Sequence, residues 1–334
     1  MQLVRKFFWL ALLLACAPLH AEVNEIRIAK GAGGLGFLPL MVMEKYQLIE
    51  KNAKAAGLPA LKARYLGIGG PSVVNDALLS GAVDIAPAGP PAFLLMWART
   101  QNSSKVKGVA AMTSIPMYLN TTSPAVKSLD DVSGKDKIAV TSIKVSIPSI
   151  AMQMYAMGKY GKNEFARFDK YTVSMTHPDA MIAMLSGRSE VDLHFTSPPF
   201  HQREQKDPRI RTIVNSNQLF GGPNTFTMLY TTTKFHDNNP KTYAVMLKAL
   251  EESIAFIKSH APEAAQLYLD SDEGKGWKRD EIVRVLQDPD INFTTAPQAM
   301  LKYLNFMNAV GTLKSNTANW KDLFFPEIHN ISGN

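Results

Sequence analysis

The stretch Gly31-Ala32-Gly33-Gly34-Leu35-Gly36 is the first place in this 334-residue chain where residue types and spacing point to chemistry. It satisfies G-x-G-x-x-G between a strand-like segment, Glu25 to Lys30 (EIRIAK), and a helical pattern over Pro39 to Glu50. That is the setting a dinucleotide site requires, and such a site also needs an acid after the next strand to hold a ribose hydroxyl. Leu61 to Leu66 is that strand, and it runs Arg64-Tyr65-Leu66-Gly67 with no Asp or Glu. The dinucleotide reading fails there, but the physics of the loop survives. Glycines let backbone N–H groups approach a ligand, and the helix N-terminus behind them favours an anion; the plainer alternative is a tight turn. Gly70-Pro71-Ser72 and Ser146-Ile147-Pro148-Ser149 stand at further helix starts, where a serine either caps the helix or meets a ligand. His177, His194, His201, His236, His260 and His329 come without H-E-x-x-H, a cysteine pair or G-x-S-x-G. Zinc hydrolysis and nucleophile-elbow chemistry therefore have no support.

The elements that must position these residues come in two similar sets. Leu78 to Phe93 reads LLSGAVDIAPAGPPAF, and Met184 to Phe200 reads MLSGRSEVDLHFTSPPF. Both carry Leu-Ser-Gly, then Val-Asp, then a Pro-Pro pair, at a separation far beyond a solenoid period of about 20 to 50 residues. Each copy reads as a helix stopped by glycine, a short buried strand (Val83 to Ala86, Val191 to Phe195) and a turn that breaks before the next helix. Strand-like and helix-like segments alternate up to the second copy, which is βαβ grammar and calls for parallel sheets flanked by helices. Thr113-Ser114-Ile115-Pro116 and Asn224-Thr225-Phe226-Thr227 are β-prone stretches suited to crossings between two halves. After the second come helical patterns over Tyr243 to His260, Pro262 to Leu269, Lys278 to Leu286 and Pro297 to Val310. Their Met246, Phe256 and Tyr303 recur at helical spacing and read as core.

Composition bounds the function. With 46% hydrophobic and 19% charged residues the chain can bury the cores of roughly two domains. The N-terminus, MQLVRKFFWLALLLACAPLHAEV, has a basic head, an apolar run and Ala21 before a polar start, the pattern of a secretory signal spanning residues 1–21. Leu13-Leu14-Ala15-Cys16 also resembles a lipobox, in which Cys16 would carry lipid. Cleavage after Ala21 removes the only cysteine, so disulfides and thiolate-metal sites are excluded from the mature form. Losing Arg5 and Lys6 takes the net charge from +7 to +5, and the remaining basic residues are scattered among acids. A nucleic-acid surface is not expected.

The order of secretory signal, EIRIAK, GAGGLGFLPL with Pro39 entering a helix, and ALLSGAVDIAPAG resembles the periplasmic substrate-binding proteins of ABC importers, in the nitrate, sulfonate and taurine group. The resemblance covers nearly the whole mature chain. It implies a type II periplasmic binding fold: an α/β protein of two lobes, each a mostly parallel sheet flanked by helices, hinged by two crossover strands, with the ligand between. The first lobe would be discontinuous, residues 22–115 and 222–334, and the second would be residues 116–221. It further implies a periplasmic, monomeric, non-enzymatic protein with a small-molecule ligand, a permease and an ATPase as partners, and neither cofactor nor metal. The alternatives are a ligand sensor that presents its bound form to a receptor, and an enzyme related to thiamine pyrimidine synthesis, whose cysteine-rich iron motif is missing here.

On that architecture ligand contacts come from loops at the C-terminal ends of strands. On the first lobe these are Gly34, Leu35, Gly36 and Phe37, then Gly70, Pro71 and Ser72, then Ala88 and Gly89. Across the cleft they are Thr141, Ser142, Ser146, Ile147 and Pro148, then His194, Thr196 and Ser197, with Thr225 and Phe226 at the crossing. Aligning the two copies pairs Ala86 with His194, Ala88 with Thr196 and Gly89 with Ser197, an apolar turn opposite a polar one. The ligand expected there is a small organic anion, a sulfonate or carboxylate, with an apolar body against Phe37.

Overall fold

Ile26 and Ile28 of strand β1 (Glu25–Ala29) point into the core, and β1 pairs in parallel with β2 (Lys62–Leu66), Glu25 opposite Lys62. The structure is a computed structural model that describes residues 22–31 and 33–334. The apolar leader, Ala21 and Cys16, on which the signal and lipobox expectations rest, lie outside those residues. Between β1 and β2 the chain makes a short 3₁₀ turn at Leu35–Phe37 and two helices, α1 (Leu38–Lys45) and α2 (Leu48–Ala55). The sequence pattern suggests one helix here. It breaks at Gln47, which sits in the left-handed region (φ 50°), and the break lets both helices pack on one long C-terminal helix, α10 (Pro240–Ser259).

Helix α3 (Pro71–Leu79), β3 (Ala86–Ala88), α4 (Pro90–Arg99) and β4 (Val106–Ser114) follow. The chain then enters a second sheet with β5 (Tyr118–Thr121), β6 (Ile138–Val140), α5 (Ile147–Tyr160), β7 (Thr172–Ser174), α6 (His177–Ser186) and β8 (Leu193–Thr196). Helix α7 (Phe200–Glu204), β9 (Arg211–Asn215) and α8 (Ser216–Phe220) complete that half. It returns through β10 (Thr227–Thr232), α9 (Thr233–Asn238), α10, α11 (Ala261–Leu269), α12 (Arg279–Leu286), β11 (Asn292–Phe293) and α13 (Met300–Ala309). Met246 and Tyr303 are buried, while Phe256 is half-buried against Tyr46.

One sheet has the order β11-β4-β10-β3, with the β1-β2 pair joined to it through an Ile28–Ile85 bridge, and the other has the order β7-β6-β8-β5-β9. In each, a strand arriving from the other half lies between two home strands and runs antiparallel to both: β10 between β3 and β4, β5 between β8 and β9. The direction has a simple cause. Home strands such as β1 and β6 end at the junction between the halves, so a strand that enters from the junction must run the other way.

The repeated sentence is thus a repeated position. Ala86 pairs with Tyr230 and Ala88 with Met228; His194 pairs with Asn120 and Thr196 with Tyr118. Gly81 and Gly187 both take the left-handed conformation that glycine adopts at little cost (φ 72° and 63°). The two aspartates also match in backbone: Asp84 and Ile85 both donate to the Arg27 carbonyl, and Asp192 and Leu193 both donate to that of Lys137. The strands start three residues after Val83 and two after Val191, because the residues between lead in from the helix and only the later ones enter the ladder.

Candidate functional site

Helix starts from both halves converge where the sheets meet. Helix α3 begins at Pro71 behind Gly70, α4 at Pro90 behind Gly89, α5 at Ile147 behind Ser146, and α6 at His177 behind Thr176. The first N–H groups of a helix have no partner within it. Proline removes some of them: Pro90 and Pro91 leave α4 a donor-poor start, whereas α5 keeps the N–H groups of Ile147 and Ser149 and α6 keeps that of His177. The α4 start is therefore the donor-poor one, and the donors nearest the cavity come from the other helix starts.

Between them lies a cavity of about 40 Å³. Phe37, Pro71, Ala88, Gly89 and Phe226 wall it on one side, and Thr141, Ser146, Ile147, Pro148 and His177 face them. Among the described residues its wall has no Asp, Glu, Lys or Arg side chain, and His177 is its one titratable group. At roughly 10 to 15 Å³ per water it holds about three or four waters, so the halves lie close together here, while beside it a wider space lined by Gly67, Gly70, Thr141, Thr176 and Glu273 stays between them. Gly89 shows how close the approach is: a Cβ there would lie 3.0 Å from Cδ1 of Ile147 across the cleft. One at Gly70 would lie 3.3 Å from the Thr141 carbonyl.

Several residues expected at the cleft lie elsewhere. Leu35 and Gly36 are buried within the first half, where the Phe226 ring covers Gly36 and its carbonyl accepts the Thr227 hydroxyl at 2.7 Å. Ser72 is exposed outside the wall. Ser142 builds the turn before α5, its carbonyl accepting from the Ser146 N–H and the Ser149 hydroxyl. Thr225 serves the crossing, its hydroxyl accepting the Gln298 N–H at 2.8 Å. Ser146 does not cap its helix; its hydroxyl pairs with that of Ser149 at 3.2 Å.

The expectation for Gly34 needs a correction. Its N–H donates at 2.6 Å to Glu273, a carboxylate 239 residues away, so an internal acid already fills the anion-seeking position of the glycine loop. Burial raises the Glu273 pKa, and the Gly34 hydrogen bond partly offsets that rise. A Cβ on Gly34 would lie 3.3 Å from the Phe200 ring and 3.6 Å from the Ser197 hydroxyl, so these residues meet across the halves. Ser197 Oγ is buried without a hydrogen-bond partner among the described residues, and Thr196 reaches only the Ser197 carbonyl at 3.4 Å.

His194 sits one layer behind the wall. Both ring nitrogens are engaged, Nε2 with His177 Nδ1 at 2.9 Å and Nδ1 with Glu204 Oε1 at 2.6 Å. Glu204 Oε2 accepts from Asn120 Nδ2 at 2.8 Å, and the same amide lies 3.2 Å from His201 Nδ1. Burial lowers the His201 pKa to about 4, and the ring stacks on Tyr118 at 3.8 Å; burial likewise pushes Tyr118 up to about 12. The residue that reaches the cavity is His177, which sequence reasoning set aside. Its signal was its place, the first helical residue after β7 and next to Pro178. Met117, Val145 and Thr227 were also missed; Met117 and Thr227 flank the crossings.

The crossings run side by side. Ser114 donates to the Asn224 carbonyl at 2.9 Å, Met117 and Ser216 exchange hydrogen bonds at 2.7 and 3.0 Å, and the Phe226 N–H donates to Thr113 at 2.8 Å. Among the described residues no group of three or more His, Cys, Asp or Glu is placed to hold a metal, and no helix is long and apolar enough to cross a membrane.

Solved structures with this arrangement are numerous. The alkanesulfonate-binding protein SsuA of Xanthomonas axonopodis pv. citri, bound to MOPS, superposes with a TM-score of 0.65 at 15% identity over 88% of this chain and 96% of its own. The periplasmic nitrate-binding protein NrtA of Synechocystis gives 0.66 at 14% over 89% and 84%. A Candida albicans protein described as having the generic periplasmic binding protein fold gives 0.64 at 12% over 88% and 92%. This chain has the periplasmic binding protein fold. Its two interleaved sheets are the two lobes of that fold, and the apolar cavity lies in the interlobe cleft. No protein-family model matches the sequence, and no curated protein matches it.

Proposed function

We propose that the protein is the extracytoplasmic solute-binding component of an ABC importer. It captures a small organic anion, a sulfonate or carboxylate with an apolar body, between a lobe of residues 22–115 and 222–334 and a lobe of residues 116–221. The observation that carries this reading is the convergence of helix starts from both lobes on one cavity that is mostly apolar, carries the Ser146 and His177 helix starts, and has no Asp, Glu, Lys or Arg side chain among the described residues. The named sulfonate-binding and nitrate-binding relatives support the transport role.

The magnitudes are sufficient. Micromolar binding needs about 8 kcal/mol. Burying a four-carbon body contributes about 3 kcal/mol at about 0.8 per CH₂. Two helix starts add about 0.3 to 2 kcal/mol each, and a hydrogen bond to the charged head adds about 1.5 to 3. Such a solute is too large for the present cavity, so it enters only when the lobes part about the crossings. Closure is then driven by the difference in affinity between closed and open forms.

A calorimetric screen of sulfonates, carboxylates and uncharged heterocycles, with scattering curves of the free and saturated protein, tests the reading. Tight binding confined to neutral compounds would refute the anion, and a chemically altered product would refute a binding-only role. An unchanged radius on saturation would refute closure. Export with cleavage after Ala21 belongs to the same reading, and the intact mass of the exported protein checks it; a diacylglycerol adduct on Cys16 would favour the lipobox.

A further inference from the structure

We propose that the buried chain Glu204–His194–His177 sets the hydrogen-bonding polarity of the cleft: the proton count on His194 decides whether Nε2 of His177 meets the ligand as a lone pair or as an N–H donor. The proposal deepens the anion-binding reading above and takes its ligand class from it.

The argument is a count of protons. His177, His194 and Glu204 are 3%, 1% and 0% exposed, so no bulk water rescues a mismatch. His177 Nδ1 and His194 Nε2 are 2.9 Å apart and share one proton, as do His194 Nδ1 and Glu204 Oε1 at 2.6 Å. Asn120 supplies a second donor to the Glu204 carboxylate, which holds it as the acceptor end of the chain. With one proton, on Nδ1, His194 presents a lone pair at Nε2. His177 must then donate from Nδ1, and its own Nε2 is a bare acceptor. With two protons His194 donates from Nε2, His177 accepts at Nδ1, and the His177 proton moves to Nε2 as a donor to the cleft. His177 is neutral in both states. Burial and the neighbouring His194 hold its pKa well below the ordinary imidazole value, and the 2.6 Å contact with the Glu204 carboxylate makes His194 the ring to which we assign the extra proton.

The surroundings leave that count to these residues. From α7 come Glu204 and His201, whose own pKa is lowered to about 4 by burial. From β5 come Asn120 and Tyr118, from α6 the exposed Asp179, which is tied to the Thr176 hydroxyl at 2.6 Å, and farther off Asp288 acts on His201 and Tyr118. Among the described residues no lysine or arginine hydrogen-bonds to the chain. Nε2 of His177 likewise has no protein partner among the described residues. An anionic head selects the donor state and draws one proton from solution. A neutral ligand that presents an N–H selects the acceptor state.

The test uses the mature protein labelled with ¹⁵N at histidine, with ring spectra followed over the whole pH range in which it stays folded. Peaks are assigned with His177→Gln and His194→Gln. The expected result is that the His177 proton moves from Nδ1 to Nε2 in the same step in which His194 gains its second proton. Butanesulfonate is expected to shift that step to higher pH and butanesulfonamide to lower pH. Glu204→Gln removes the counter-charge and is expected to abolish the step; if that variant does not fold, the parent titration alone decides. A His177 proton that stays on one nitrogen, or moves independently of His194, overturns the proposal. A coupled step that neither probe shifts supports the relay and refutes the anionic ligand.

Discussion

Gly89→Ala is expected to weaken ligand capture by about 5- to 30-fold while leaving the ligand-free protein nearly as stable as the parent. Gly89 has φ −79° and ψ 162°, an ordinary conformation for alanine, so the backbone is not strained. The added methyl would meet Cδ1 and Cγ1 of Ile147 at 3.0 and 3.1 Å, and the Phe226 carbonyl at 3.2 Å. The Phe226 contact lies next to β10 and persists when the lobes open. The Ile147 contact exists only when they close. Overpacking costs about 1 to 3 kcal/mol, and assigning about 1 to 2 of that to closure gives the stated factor. Titration calorimetry with the best anion from the screen, together with a thermal melt of the free protein, reads both quantities. Ile147→Val removes Cδ1 and keeps Cγ1, so the double variant should regain part of the affinity, and the coupling isolates the interlobe contact. Parent-like affinity in Gly89→Ala, or no recovery in the double variant, would refute the closure geometry. Gly34 is a poorer probe, because φ 83° strains any substitution in the open form as well.

His177→Gln should weaken anion binding by about 10- to 100-fold, the worth of one hydrogen bond to a charged group, with little change in the binding of a neutral apolar analogue; competition calorimetry compares them. Glu273→Gln keeps an acceptor for the Gly34 N–H but removes a buried charge. Burial raises the Glu273 pKa, so the native state favours the protonated acid; its contribution is present at low pH and lost as pH rises through the folded value. The variant should therefore melt higher than the parent at pH 7, and the gap should close below about pH 4, where unfolded glutamate is protonated. Asp84→Ala should cost about 1 to 3 kcal/mol in urea unfolding, since Asp84 accepts from the Arg27 N–H at 2.8 Å and from its guanidinium at 3.0 and 2.7 Å. The equivalent Asp192→Ala should cost less or stabilise, because the Asp192 carboxylate makes no hydrogen bond among the described residues and its pKa is raised by burial and by Asp136.

Local pattern made much of the fold legible. EIRIA alternates and is a strand; the C-terminal patterns that follow Tyr243 are helices; and the repeated Leu-Ser-Gly…Val-Asp…Pro-Pro marks equivalent helices, strands and turns. These features are written over a few residues, in side-chain periodicity and in the backbone freedom of Gly81 and Gly187, so a sequence displays them directly. What faces the cavity was decided by tertiary structure. His194 and Ala86 occupy the same register, yet one packs against Glu204 and the other lies in an apolar core, because the neighbouring elements differ. Glu273 reaches the Gly34 amide from 239 residues away, and no local pattern encodes that meeting. The sequence by itself determined two similar halves and the turns at their junction. Which of the turn residues line the cavity was settled only when the crossing strands β5 and β10 entered their sheets antiparallel, since that docking sets the layer in which each side chain lies.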